Sequence, residues 1–107
     1  MPNDPPQLPP TMPDRVRELQ ANEGLQERVT LIRTNLQEYA TNQDLPYNPQ
    51  GCAEMWQAYE LMRLGYTRSQ IETAVLHGSR EDARLNHLLM IALDEAQAEY
   101  ISVKKRE

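Results

Sequence analysis

The segment Glu60-Leu61-Met62-Arg63-Leu64-Gly65-Tyr66-Thr67-Arg68-Ser69-Gln70-Ile71-Glu72-Thr73-Ala74-Val75 contains a helix stop followed at once by a helix start. Glycine adopts positive φ without a Cβ penalty, so Gly65 stands where a C′ residue closes a helix. Tyr66 behind it can pack back on Leu61. Thr67-Arg68-Ser69-Gln70 has capping-box spacing: Thr67 accepts from the N3 amide while the Gln70 side chain reaches back to the cap N–H. Two short helices joined by a tight turn are expected, with Ile71, Ala74 and Val75 facing inward.

Working outward, the helix before the turn runs from about Cys52 to Leu64. Glu54, Gln57, Glu60 and Arg63 recur on its polar side, and Met55, Trp56, Tyr59 and Met62 are read as core. The helix after the turn ends at Gly78, just past His77. A third starts near Ser79, with Glu81 and Asp82 in a first turn where the helix dipole favours negative charge. Leu85, Leu88, Leu89, Ala92, Leu93, Ala96, Tyr100 and Val103 then hold the helical period for about six turns. No strict alternation of apolar and polar residues runs over five or more positions, so the chain reads as all-α.

Upstream, Val16, Leu19, Leu25, Val29, Ile32, Leu36 and Tyr39 recur mostly at three- and four-residue steps. They form one long helix or two shorter ones. A glycine inside a helix costs about 1 kcal/mol relative to Ala, and Asn22-Glu23 precedes Gly24, so a bend or break is expected there. Thr11 and Asp14 are a candidate capping pair. The chain then divides into a Pro-rich disordered tail (1–13), an N-terminal helix or bent helix pair (14–41), a linker with two prolines (42–51), and a three-helix bundle with a long third helix (52–107).

With 107 residues and a formal net charge of -5, the chain suits one small domain and is too short for a barrel or doubly wound enzyme fold. Acidic residues outnumber basic ones, which argues against a nucleic-acid surface. Cys52 is the single cysteine and cannot form an internal disulfide, so a cytoplasmic protein is expected, with neither signal peptide nor membrane span. Cys52, His77 and His87 are too far apart for a zinc site, and Cys52 reads as a small packed hydrophobe. No phosphate-cradling glycine loop occurs, and Glu81/Asp82 and Asp94/Glu95 are adjacent pairs that point apart. A non-enzyme without cofactor or metal is expected.

The junction at residues 60–75 resembles the first half of a ubiquitin-associated (UBA) domain, whose first loop carries Met-Gly-Phe/Tyr before a capped second helix. Leu64-Gly65-Tyr66 takes that place here, with Leu for the usual Met. Leu85-Asn86-His87-Leu88-Leu89 is similar to the family's third-helix pattern, and the long third helix resembles that of UBA domains in inhibitor-of-apoptosis proteins. The likeness covers roughly residues 52 to 93. It implies a non-catalytic module that binds ubiquitin or a ubiquitin-like domain through an apolar patch of Leu64, Gly65, Tyr66, Leu88 and Leu89, with Asp94 on its rim. Beside it stand plainer roles: Leu88 as bundle core, Tyr66 as a contact to Leu61, and His87 as a partly exposed helix residue.

Two other readings remain. A helical scaffold would dimerise through residues 14–40, burying Val29, Leu36 and Tyr39 between chains, with the UBA-like unit structural only. The PxxPxR spacing of Pro10, Pro13 and Arg15 would suit an SH3 domain if the segment took a polyproline II form.

Overall fold

Among the residues described by the computed structural model, 12–107, five helices follow one another: α1 (Met12–Ala21), α2 (Glu23–Thr41), α3 (Ala53–Arg63), α4 (Arg68–Val75) and α5 (Ala83–Arg106). No strand occurs among these residues, and the protein is all-α. None of the helices is long and apolar enough to cross a membrane.

The N-terminal half is a helix pair, broken two residues before Gly24. Asn22 takes an extended conformation as the N-cap of α2, and its Oδ1 accepts from the Leu25 amide at 3.2 Å. An amide side chain satisfying an otherwise orphaned N–H fixes the break at Asn22, and Gly24 sits in the first turn of α2. Pro13 lies in the first turn of α1, where its missing N–H costs nothing. Thr11 and the tail before it lie outside the described residues.

The turn after α3 follows the expected chemistry. Gly65 has φ +100, the Tyr66 amide donates to the Leu61 carbonyl at 3.1 Å, and the Gly65 amide donates to Met62 at 3.0 Å. This is a Schellman motif, with Leu61 and Tyr66 both buried. Both halves of the Thr67–Gln70 capping box are formed, at 3.2 and 2.8 Å.

Later boundaries move. α4 ends at Val75, before His77, and α5 begins at Ala83, about a turn later than expected. Asp82 is the N-cap, accepting from Leu85 at 3.0 Å, while Ser79 to Glu81 belong to a turn that follows Gly78 at φ +78. Two residues in this segment were able to cap, and the aspartate prevails because it stands three residues before Leu85, the first core leucine.

One core runs through both halves. α3 lies between α2 and α5, and α1 packs on α2 and α4. Val29 and Leu36 are buried within the chain, and Tyr39 meets Tyr47 edge-on at 4.9 Å. The apolar stripe of residues 14–40 is therefore covered by the chain's own helices, which removes the reason for placing a dimer there.

Candidate functional site

The loop between α3 and α4 carries the one exposed leucine of the expected patch. Leu64, the C-cap of α3, is 54% exposed, and Gly65 beside it is also exposed. The Schellman turn explains this: the chain reverses at Gly65, sending Tyr66 down onto the core and leaving Leu64 outside.

The other three expected contact residues are not on the surface. Tyr66 is 5% exposed, and Leu88 and Leu89 are both fully buried. The five-residue patch is thus corrected to two residues. Helical periodicity allows one of two adjacent leucines to face outward from a three-helix bundle, but α5 has neighbours on both flanks and covers both. Tyr66 is closed over by α1: the Arg15 guanidinium stacks 3.8 Å above its ring while pairing with Glu18 at 3.1 Å. Burial raises the Tyr66 phenol above its usual value of 10.0, reinforced by a hydrogen bond to Glu18 and that group's charge, with Arg15 opposing.

Arg15 is accordingly unavailable for an SH3 groove in this conformation. Pro13 and Arg15 are helical, contrary to the polyproline II expectation, and Pro10 lies outside the described residues.

The elbow between α1 and α2 enlarges the loop surface. Leu64, Leu25 and Tyr66 line a shallow groove together with Arg15, Glu18, Asn22 and Arg28. Arg28 is steadied by donating to Gln57 on α3 at 2.6 Å. Leu25 and Arg28 lie far from the loop in sequence, and no local spacing rule joins them to it. On the other side, Arg63 lines a groove with Tyr100 and Lys104, and Arg68 pairs with Asp94 and donates to Gln97 at 3.2 Å. The loop between Arg63 and Arg68 therefore runs beside residues 94–104 of α5, beyond Leu88 and Leu89.

Trp56 departs from its expected place in the core. It is 42% exposed on α3, edge-on to the buried Tyr59 at 5.4 Å. Glu54, expected on the polar side, is buried instead: Tyr47 donates to its Oε1 at 3.0 Å and Asn35 to its Oε2 at 3.5 Å. This carboxylate ties the linker and α2 to the start of α3. Cys52, half-buried beside it, donates from Sγ to the Asn48 carbonyl at 3.1 Å. Burial, then the charge and hydrogen bonding of Glu54, push its thiol up and so disfavour the nucleophilic thiolate.

Among the described residues, no group of three or more His, Cys, Asp or Glu side chains is placed to hold a metal. Comparison with protein-family models, curated proteins and solved structures found no match.

Proposed function

We propose that the chain is a non-catalytic interaction module that docks ubiquitin or a ubiquitin-like domain through the loop after α3. Leu64 is the principal contact, with Leu25 and Gly65 beside it. The observation that carries this reading is the exposure of Leu64, 54%, in a groove it shares with Leu25 and with the charged Arg15, Glu18 and Arg28. The loop backbone is held by a hydrogen-bonded turn and is ordered before binding, so little backbone entropy is lost on docking. The partner class comes from the resemblance of residues 52–93 to UBA domains. A contact of this size gives weak, transient binding, because the buried surface falls below about 1,200 Å². Amide-shift titration with ubiquitin tests it: shifts centred on Leu64 and Gly65 are expected, and their absence at millimolar ubiquitin overturns it.

A helical scaffold in which the UBA-like unit is structural only is the second reading. It is favoured by the burial of Tyr66, Leu88 and Leu89. The two readings part at Leu64, which a purely structural unit has no need to display.

A further inference from the structure

The last turns of α5 run on after its last fully buried residue. Its buried residues are Leu85, Leu88, Leu89, Ala92, Leu93 and Ala96, and none follows. Beyond Ala96, Tyr100 and Val103 keep partial cover beside Tyr59 and Arg63. On another flank of the same helix, Asp94, Ala98, Ile101 and Lys105 are all exposed, Ile101 at 48%. They recur at steps of four, three and four residues, the spacing of a coiled-coil seam.

The charges along this flank are ordered. Asp94 stands at one end and Lys105 at the other. Parallel pairing with a second copy would set like charge on like. Antiparallel pairing about a two-fold axis between Glu99 and Tyr100 sets Asp94 opposite Lys105 and Ala98 opposite Ile101, each twice by symmetry. Asp94 remains available for such a contact because its side chain is 66% exposed even while paired with Arg68. In this arrangement Ala96, the last buried residue of α5, lies towards opposite ends of the seam in the two copies.

We infer that this flank of α5 is a self-association surface on which a second copy of the chain docks antiparallel, through Ile101 on Ala98 and the charge pairs at either end. Three turns of helix bury less than a standard interface, so the dimer is weak and forms with rising concentration. Its Asp94 end adjoins the α3–α4 loop through Arg68, but the seam is centred on Ala98 and Ile101 and does not depend on the docking role proposed for Leu64.

Sedimentation equilibrium of the full chain, from micromolar to millimolar, is the test. The mass is expected to rise from 12.4 kDa towards twice that value, less steeply in high salt. Ile101→Glu should hold the chain monomeric. Asp94→Lys or Lys105→Glu alone should weaken association about tenfold, whereas a mixture of these two variants restores opposite charges at both ends and should associate as well as the parent chain. Circular dichroism checks that each variant is folded, as exposed positions predict. A mass fixed at 12.4 kDa throughout, dimerisation unchanged by Ile101→Glu, or single charge variants that associate like the parent would overturn the inference.

Discussion

The guanidinium of Arg33 closes the C-terminal end of α4, with its Nε donating to the Val75 carbonyl at 2.6 Å. Its Nη2 donates to Ala74 and His77, each at 3.1 Å. α4 has no basic residue in its own last turn, so α2 supplies the cation that the helix dipole and its orphan carbonyls favour. Arg33→Ala should destabilise the fold by about 2 kcal/mol. Arg33→Lys should recover part of the loss, since a point charge cannot span three carbonyls. Urea denaturation checks both.

Gly65 is constrained by its backbone. At φ +100, a Cβ would meet only Arg15 Nη2 at 3.5 Å, an ordinary contact, so the cost of Gly65→Ala is conformational strain. About 1 kcal/mol of lost stability is expected in thermal denaturation, with the fold retained.

Leu89 and Leu64 should separate stability from docking. Leu89→Ala removes a fully buried side chain and is expected to cost about 3 kcal/mol. Leu64→Ala, at an exposed position, should change stability by less than about 0.5 kcal/mol. Denaturation curves for the two variants give this contrast directly.

Alkaline pH should unfold the protein through its buried phenols. Tyr47 is held well above the usual 10.0, first by burial and then by the charge of Glu54 and the hydrogen bond to it, while Tyr66 is raised mainly by burial. The unfolded phenols lose their protons near 10.0, while the folded ones keep theirs. The phenols' contribution to stability is therefore complete below about pH 10 and falls as pH rises towards the folded values, and the raised Cys52 thiol begins the loss from about pH 9. Denaturation between about pH 8 and about pH 11 measures the slope, and Tyr47→Phe should flatten it. At neutral pH the same substitution removes a donor from the buried Glu54 carboxylate, at a cost of about 2 kcal/mol.

Local rules were readable wherever a few neighbouring residues decide the outcome. Gly65, Tyr66 and the Thr67–Gln70 box lie within six residues, and their turn and cap form with the partners their spacing implies. Competition between similar signals moved a boundary where Asp82 capped α5 rather than Ser79, whereas the break expected at Asn22-Glu23 falls at Asn22. Burial was harder to read, because it depends on how many helices arrive. The period of α5 could not tell which side of Leu88-Leu89 stayed open, and the polar spacing of α3 hid the buried Glu54. The contact of Arg15 with Tyr66 and the groove shared by Leu25 and Leu64 join segments that nothing in their own neighbourhoods links.

The docking role of Leu64 is most directly tested by titrating isotope-labelled protein with ubiquitin while following backbone amides in the parent chain and in Leu64→Ala. The account predicts concentration-dependent shifts confined to the α3–α4 loop and the neighbouring turn around Leu25, lost or weakened roughly tenfold in the variant. Identical titrations for the two proteins, or amides that stay still at millimolar ubiquitin, would contradict it.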